Sequence, residues 1–229
     1  MLILVIAEAE LERIPAAIVS HPVIYRYAKQ KGKPATKLLL NSSIHHAAMA
    51  TLPEGRRQGR PDITHLILLT ALESILNKQD RLRVYIHTRN DEVITVNPQT
   101  RIMRNEERFA GLLEQLFDKG AVPNPTKPLL SLQPQTLPAL IQELNSDHVF
   151  VCDQLGTPSR LPEYFTSLHH QNKQKITAIV GGFPSGPLKT DISKMVNDTI
   201  SIYPETLAAW TVVSELLVNY ENTTPPASP

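Results

Sequence analysis

Residues 176–188 read Ile-Thr-Ala-Ile-Val-Gly-Gly-Phe-Pro-Ser-Gly-Pro-Leu, a short apolar run that leads directly into a glycine-rich loop. An apolar run of this length, bounded by glycine and proline, indicates a buried strand. Residues 149–152 and 199–202 are similar runs, each followed by a loop and a helical pattern. Strands that alternate with helices predict an α/β fold, in which a mostly parallel sheet is flanked by helices.

The rest of the chain contributes further elements of both kinds. Strands are expected, from short apolar or alternating runs, at residues 2–7, 38–40, 82–86 and 93–96. Helices are expected, from the spacing of apolar residues, within 10–20, from about residue 44, and over 62–77, 106–119, 161–170 and 206–220. Residues 121–138 contain five prolines and are interpreted as a surface connector. We expect a small β-rich insertion near 81–104 and a flexible tail over 221–229.

The composition is that of a globular protein. Of the 229 residues, 41% are hydrophobic and 20% are charged, which excludes wholesale disorder. No apolar run approaches the roughly 20 residues of a membrane span, so no membrane partner is expected. Residues 1–7 are apolar but lack a preceding basic region, which favours a strand over a signal peptide. The net charge of +1 argues against indiscriminate nucleic-acid binding but leaves room for a local basic surface.

The sequence gives little support for a metal site or for a catalytic nucleophile. Cys152 is the single cysteine, which excludes an internal disulfide and a cysteine-rich zinc site and favours a reducing interior such as the cytosol. His45 and His46 are adjacent, so they point in different directions on a helix, and no further ligands accompany them. No metal site is expected, and no nucleophile elbow is visible.

The glycine-rich loop does not match the common phosphate-binding motifs. A P-loop would have Lys and Ser or Thr where Pro187 and Leu188 stand, and a dinucleotide fingerprint would have glycine in place of Phe183. Residues 200–209 form a second loop after a neighbouring strand, so both loops should lie at the carboxyl edge of the sheet, where such sheets bind ligands. A neutral, backbone-lined pocket there would suit an adenosine-type cofactor. A plain tight turn is the alternative for the first loop.

Arginines form the other group of candidate residues. Arg101, Arg104 and Arg108 are spaced by three and four, which would place them on one face of a helix or turn. Together with Arg60 they offer guanidinium groups, which suit phosphate because they form paired hydrogen bonds. A solvated surface is the alternative. Asp62 either supports the start of the helix that it opens or pairs with Arg60 and orients it.

Four segments occur in the order that is typical of a known family. They are Leu40-Asn-Ser-Ser-Ile-His-His-Ala-Ala-Met49, Gly59-Arg-Pro-Asp-Ile63, Val84-Tyr-Ile-His-Thr88 and Arg101-Ile-Met-Arg-Asn-Glu-Glu-Arg-Phe-Ala-Gly-Leu112. Through them the chain resembles the archaeal branch of the pseudouridine-N1-specific ribosomal RNA methyltransferases, whose eukaryotic members are ribosome-assembly factors. The resemblance covers the whole length except the tail.

The resemblance implies a SPOUT-type α/β knot, with one domain over residues 1–220 and a C-terminal trefoil knot formed by about residues 147–220. It implies a cytoplasmic homodimer that binds S-adenosylmethionine in the knot. The implied activity is methylation of N1 of a pseudouridine in small-subunit ribosomal RNA, with a role in small-subunit biogenesis. Other ribosome-assembly factors or ribosomal proteins are further partners that the resemblance allows.

Position within the family motifs also assigns roles to residues. Arg60, Arg101, Arg104 and Arg108 match arginines that contact RNA, and Asp62 matches the carboxylate that supports the first of them, with a general-base role left open. The implied cofactor-binding residues are Leu155, Gly181, Gly186, Ile200, Ser201, Ile202, Tyr203, Pro204, Glu205 and Leu207.

The chain departs from the family at two positions of interest, and two other functions stay open. Asn41 and Pro187 stand where the family usually has acidic residues. The first alternative is a SPOUT RNA methyltransferase that acts at another position, such as a ribose 2′-oxygen. The second is a non-catalytic RNA-binding assembly factor. A nucleotide-binding module is disfavoured because no Lys follows Gly186.

Overall fold

A single sheet of eight strands runs through residues 1–223, the part of the chain that the computed structural model describes. The strands are β1 (Leu2–Ala9), β2 (Leu82–Thr88), β3 (Glu92–Val96), β4 (Ala121–Val122), β5 (Leu130–Pro134), β6 (His148–Pro158), β7 (Ile176–Gly181) and β8 (Asp198–Ser201). The helices are α1 (Pro22–Lys31), α2 (Ser42–Met49), α3 (Pro61–Glu73), α4 (Ile75–Lys78), α5 (Glu106–Lys119), α6 (Leu137–Leu144), α7 (Leu161–His170) and α8 (Ala209–Thr223).

The order of the strands in the sheet is β4-β5-β3-β2-β1-β7-β6-β8. β1 pairs in parallel with β2 and β7, and β6 pairs in parallel with β7 and β8. The other three pairings, β2 with β3, β3 with β5 and β4 with β5, are antiparallel. The predicted α/β fold is therefore confirmed, with a parallel half that brings the carboxyl ends of β1, β6, β7 and β8 to one edge.

Each face of the sheet has its own hydrophobic layer. Alternate residues of β1, such as Leu4 and Ile6, pack with α3, α5, α7 and α8, whereas Ile3 and Val5 pack with α6. Because β1 is buried on both faces, residues 2–7 are apolar on both, which accounts for the continuous apolar run at the start of the strand.

A third, smaller core lies under the amino-terminal segment. It joins α1, α2 and the segment between them through Ile14, Ile18, Ile24, Leu38, Leu40, Ala48 and Met49. Three lysines of this segment pair with acidic side chains on α5, namely Lys31 with Glu107, Lys33 with Glu114 and Lys37 with Asp118. These contacts fix the segment that precedes Arg60 against α5.

The predictions for this segment were wrong in two places. Residues 10–20 contain only a 3-10 turn (Ala16–Ile18), and the helix that follows is α1. α1 starts after His21, whose ring accepts a hydrogen bond from the Val23 backbone N–H, and ends at Gly32 in the left-handed region. Residues 38–40 form no strand, because their pairing is limited to one isolated bridge between Arg13 and Leu39.

The expected β-rich insertion near 81–104 is also arranged differently. β2 belongs to the parallel half, since it pairs with β1, and only β3 turns back antiparallel. β4 and β5 complete the antiparallel half, so residues 121–138 contain two strands rather than a connector alone. Prolines are compatible with these strands because Pro123 follows β4 and Pro134 ends β5.

Two helix boundaries differ from the prediction as well. The helix expected over 62–77 is interrupted at Ser74, whose backbone is extended and whose side chain caps α4. α8 begins at Ala209 instead of residue 206 and continues to Thr223, so residues 221–223 are helical and not part of a tail. The rest of the predicted tail, 224–229, lies outside the described residues. The trefoil knot is a property of chain threading that strand order does not establish, and it stays a prediction.

Candidate functional site

A cavity of about 500 Å³ opens at the carboxyl ends of β6, β7 and β8. Its walls are the far part of β6, the loop after β7 and the loop after β8, and the start of α8 closes one side. This is the edge at which parallel sheets bind ligands, because the loops of neighbouring strands converge there. The two loops that the sequence singled out therefore line one cavity.

All but one of the predicted cofactor-binding residues line this cavity. Those that line it are Leu155, Gly181, Gly186, Ile200, Ser201, Ile202, Tyr203, Glu205 and Leu207. Pro204 does not line the cavity, and its carbonyl oxygen instead accepts a hydrogen bond of 3.2 Å from Gln154 Nε2. That bond ties the loop after β8 to β6, so Pro204 shapes the wall without facing the cavity.

The charge of the cavity restricts what it can bind. Asp153 and Glu205 line it, whereas no lysine or arginine does among residues 1–223. Phosphate groups are normally held by cations, so a nucleotide phosphate is a poor fit. A ligand that combines an apolar or adenosine-like body with a positive charge fits these walls.

Close backbone contacts hold the loop after β7 in place. A Cβ atom at Gly182 would lie 2.7 Å from Ala9 Cα, so the loop sits directly on β1 only because residue 182 is glycine. Gly186 has a φ of +87°, a conformation that other residues rarely adopt. Gly182 was not among the predicted site residues, although the adjacent glycines 181 and 182 were a signal of a close approach.

Two large side chains at the cavity stand open to solvent. Leu155 is 93% exposed and Tyr203 is 53% exposed. An apolar side chain this exposed contributes little to folding, and both are placed where a bound ligand would cover them. Cys152 also lines the cavity, but burial raises the pKa of its thiol to about 12, which keeps it protonated and unreactive at neutral pH.

Arg60 and Asp62 lie at the start of α3. Arg60 occupies the N-cap position, Pro61 is the first helical residue, and Asp62 lies in the first turn. The Arg60 guanidinium donates to both Asp62 carboxylate oxygens, from Nε at 2.9 Å and from Nη2 at 2.7 Å, and this bonding raises the pKa of Arg60. The predicted pairing of these two side chains is present.

The other predicted arginines are arranged differently from the expectation. Arg101 and Arg104 lie in a non-helical segment, and only Arg108 is on α5, so the three side chains do not share one face of a helix, the first of the two arrangements expected. Side chains of α3 and α4 hold this segment by binding its carbonyl groups. His65 Nε2 donates to the Met103 carbonyl at 2.7 Å, and Asn77 Nδ2 donates to the Pro98 carbonyl at 2.9 Å.

Hydrogen bonds nevertheless bring the arginine-bearing segments to one corner. Asn41 Nδ2 donates to Glu106 Oε1 at 3.0 Å, which holds the start of α5 against the start of α2. The Ser42 backbone N–H donates to the Gly59 carbonyl at 2.8 Å, which holds the residue before Arg60 at the same place. The side chains of Arg101, Arg104 and Arg108 are exposed, and none forms an ion pair within the described part of the chain. They are available to an anionic partner.

Buried charges beside the cavity were missed by the sequence reasoning. Glu8, Glu10 and Glu12, at and just beyond the end of β1, are 5%, 1% and 6% exposed. Arg57 pairs with Glu8 and Glu10, and Arg89 pairs with Glu10 and Glu12. A repeat of acidic residues after an apolar strand was the available signal, but their cationic partners come from distant segments.

The described residues offer no constellation for a metal ion and no membrane-spanning helix. Within 1–223, no group of three or more His, Cys, Asp or Glu side chains is arranged to hold a metal, and no helix is long and apolar enough to cross a bilayer. His45 is buried, and its Nδ1 accepts from the Asn41 backbone N–H at 3.0 Å. Burial lowers the pKa of His45 to about 4, so this residue is a neutral, packed side chain.

Comparison with known proteins places these features in context. The family model described as EMG1/NEP1 methyltransferase matches residues 4–221. The chain is 50% identical over 218 residues to "Ribosomal RNA small subunit methyltransferase Nep1" of Pyrococcus furiosus, covering 95% of each. It is 49% identical over 224 residues to the protein of the same name from Thermococcus kodakarensis, covering 96% of this chain and 98% of that one. The crystal structure of Archaeoglobus fulgidus Nep1 bound to S-adenosylhomocysteine is similar with a TM-score of 0.84 and 31% identity, covering 96% and 97% of the two chains.

Proposed function

The chain belongs to the EMG1/NEP1 methyltransferase family, and from that membership we propose that it methylates N1 of a pseudouridine in small-subunit ribosomal RNA, with S-adenosylmethionine as methyl donor. The observation that carries the proposal is the cavity at the carboxyl ends of β6, β7 and β8, whose walls, within residues 1–223, contain carboxylates and no lysine or arginine. The similar Archaeoglobus fulgidus Nep1 binds S-adenosylhomocysteine, the product that S-adenosylmethionine leaves after methyl transfer.

The residues of this chain fit that cofactor. The loops after β7 and β8 would surround the adenosine part with backbone groups, while Leu155 and Tyr203 would lose their exposure on binding. Asp153 and Glu205 supply negative charge for the positive groups of the cofactor. When bound, S-adenosylmethionine supplies an activated methyl group on a sulfonium centre.

The substrate atom follows from the chemistry of pseudouridine. Its base is joined to ribose through carbon, so N1 carries a proton and is free to act as a nucleophile. The N1–methyl bond forms as the methyl–sulfur bond breaks, and the N1 proton leaves to solvent or a base. Positioning of N1 in line with the methyl group accounts for much of the rate enhancement in such a reaction. The protein must therefore hold the base outside its stack.

Arginine side chains are proposed to hold the RNA in place. Arg60, Arg101, Arg104 and Arg108 are proposed to bind phosphates on either side of the target nucleotide. Asp62 is proposed to orient Arg60, because both of its carboxylate oxygens accept a hydrogen bond from the Arg60 guanidinium. A cytoplasmic homodimer would bring two such surfaces together. Sedimentation analysis of the purified protein tests the dimer.

A methyl-transfer assay tests the proposed activity. Two RNA hairpins that differ only in having pseudouridine or uridine at one position are incubated with the protein and labelled S-adenosylmethionine, and the nucleosides are analysed by mass spectrometry. We expect N1-methylpseudouridine from the first hairpin and no product from the second. A ribose methyl group would favour a 2′-oxygen methyltransferase, and absence of cofactor binding at millimolar concentration would favour a non-catalytic assembly factor.

A further inference from the structure

The side chain of Arg57 joins the loop before α3 to the cofactor loop after β7. Its Nη1 donates to the Pro187 carbonyl at 2.9 Å, and its guanidinium carbon lies 3.7 Å from the centroid of the Phe183 ring. Both contacts are on residues that line the cavity. Arg57 therefore touches the wall of the cavity from outside, through one hydrogen bond and one cation–π contact.

Buried carboxylates fix the direction of this guanidinium. Arg57 Nε donates to Glu10 Oε1 at 2.8 Å, and Nη2 donates to Glu8 Oε2 at 2.7 Å. Both carboxylates are almost fully buried, so the ion pairs are shielded from water and depend on geometry. A planar guanidinium satisfies all three acceptors at once, which a lysine ammonium at the end of a flexible chain does not.

Glu8 also anchors the continuation of the cofactor loop. Its carboxylate accepts from the backbone N–H groups of Lys189 and Thr190 and from the Thr190 hydroxyl, at 2.7–3.0 Å. Its own backbone has a φ of +50°, and its N–H donates to His87 Nδ1 at 3.3 Å. This unfavourable conformation is held by the surrounding contacts, which indicates a functional constraint on the position of the carboxylate.

Glu10 connects the same cluster to Arg60. Its carbonyl oxygen accepts from the Arg60 backbone N–H at 3.0 Å, and its own N–H donates to the Gly182 carbonyl at 3.2 Å. Glu10 thus contacts the cofactor loop on one side and the RNA-facing arginine on the other. Arg57 and Arg60 are separated only by Gln58 and Gly59, so any displacement of Arg57 is transmitted to Arg60 over a short stretch of chain.

We propose that Arg57 couples cofactor binding to RNA binding: it acts as a positioning residue that holds the loop before α3 on the cofactor loop. This inference rests on the proposed function, since it requires both ligands. A cofactor that fixes residues 183–187 also fixes Arg57 and with it Arg60. Bound cofactor therefore strengthens RNA binding, and by reciprocity bound RNA strengthens cofactor binding by the same factor.

Three variants separate this role from ordinary charge effects. Arg57→Lys keeps the positive charge beside Glu8 and Glu10 but loses the planar group that reaches Pro187 and Phe183. Phe183→Leu keeps every ion pair and removes the aromatic ring beneath the guanidinium. Arg56→Ala is the matched control, because Arg56 is an exposed cation of the same loop and has no ion pair within residues 1–223.

The experiment measures affinity for the pseudouridine hairpin by fluorescence anisotropy, with and without saturating S-adenosylhomocysteine, at one salt concentration. We expect the cofactor product to tighten RNA binding by about five-fold or more in the wild type. In Arg57→Lys that ratio should fall to about one, and in Phe183→Leu it should fall part of the way. Arg56→Ala should keep the wild-type ratio even where its affinity for RNA is lower.

A ratio of about one in the wild type would overturn the proposal, and so would an Arg57→Lys ratio equal to that of the wild type. Circular dichroism checks whether Arg57→Lys is folded. If it is not folded, the ratio is measured in Phe183→Leu instead, and an unchanged ratio in that variant overturns the proposal. Failure of the proposed function gives a different result. A non-catalytic assembly factor would not bind S-adenosylhomocysteine in a direct calorimetric titration, and a 2′-oxygen methyltransferase would yield a ribose methyl group in the methyl-transfer assay, whatever the ratio of RNA affinities.

Discussion

Arg60 and Asp62 form a two-point ion pair at the start of α3, in which each carboxylate oxygen accepts one guanidinium N–H. Both side chains are about a third exposed or less, so the pair is accessible from solvent while its geometry is fixed. Since both oxygens of Asp62 are engaged, the carboxylate is better placed to direct Arg60 than to accept a proton from a substrate.

Asp62→Asn tests this division of roles. The amide keeps the shape of the side chain but loses the charge and one of the two acceptors. We expect RNA affinity to fall by about ten-fold, as for loss of a charge-assisted hydrogen bond. The turnover rate at saturating RNA should fall by far less than the roughly 100-fold or more that loss of a general base produces. Steady-state kinetics with RNA as the varied substrate separates the two effects.

The control for Asp62→Asn is a double-mutant cycle with Arg60→Ala. If Asp62 acts through Arg60, the double variant binds RNA about as well as Arg60→Ala alone. A turnover rate reduced by about 100-fold with unchanged RNA affinity would instead identify Asp62 as the base.

Arg101→Ala is expected to weaken RNA binding and to reduce its dependence on salt. Each lost phosphate contact lowers the slope of log affinity against log salt by about one. Cofactor affinity should be unchanged, because Arg101 does not line the cavity. Arg83→Ala is the matched control. Arg83 lies near the start of β2, at the amino-terminal ends of the parallel strands and away from the cavity, and it pairs with Asp80. An equal change of slope in both variants would argue against a specific contact of Arg101.

Local sequence patterns predicted the elements whose own residues show a clear apolar run, and missed those that are stabilised by contacts with distant segments. β1 and β7 are buried on both faces and are mostly apolar, so each gives a recognisable apolar run. α1 escaped prediction because it buries a single residue, Ile24, and is stabilised by the small core that α2 completes. β4 escaped because it has only two residues. β5 escaped because its partner β3 is distant in sequence, and no local periodicity reports such pairing.

The candidate site likewise has a part that the sequence could predict and a part that it could not. The two cavity loops follow predictable strands, so their meeting at one edge could be predicted. The role of Arg57 could not, because its partners Glu8, Glu10 and Pro187 are brought together only by the fold. In the sequence, Arg56 and Arg57 are equivalent neighbours in a polar loop, and only the structure distinguishes the exposed side chain of Arg56 from the largely enclosed side chain of Arg57.

Leu155→Ser is expected to weaken cofactor binding without changing the stability of the empty protein. The Leu155 side chain is 93% exposed at the cavity, so it stabilises nothing until a ligand covers it. Loss of the burial of one leucine corresponds to about ten-fold in affinity or somewhat more. Calorimetry with S-adenosylhomocysteine measures the affinity, and thermal unfolding without ligand measures the stability.

The control for Leu155 is Tyr25→Ser, which removes another exposed apolar side chain, at 65% exposure, from α1 and away from the cavity. Its cofactor affinity should equal that of the wild type. Wild-type affinity in Leu155→Ser would show that the side chain stays in solvent when the cofactor binds.

Glu12 predicts a specific pH dependence of stability. Burial raises its pKa to about 7 from an ordinary 4.5, with repulsion from Glu10 adding to the shift and Arg89 opposing it. Its Oε1 lies 3.4 Å from Arg89 Nε without a hydrogen bond. The folded chain therefore holds the proton more tightly than the unfolded chain. This contribution to the free energy of unfolding is full below pH 4.5 and is lost as the pH rises through 7.

Glu12→Gln should abolish this contribution, because the amide resembles the protonated acid at every pH. We expect the variant to melt at least about 2–4 °C above the wild type at pH 8, where the wild type has a buried charge, and close to it at pH 5. Comparing the two proteins at each pH cancels the contributions of the other carboxylates. Glu163→Gln, at an exposed surface pair with Arg160, should show no such pH-dependent difference from the wild type. A variant that melts below the wild type at pH 8 would mean that the ion pair with Arg89 outweighs the burial of Glu12.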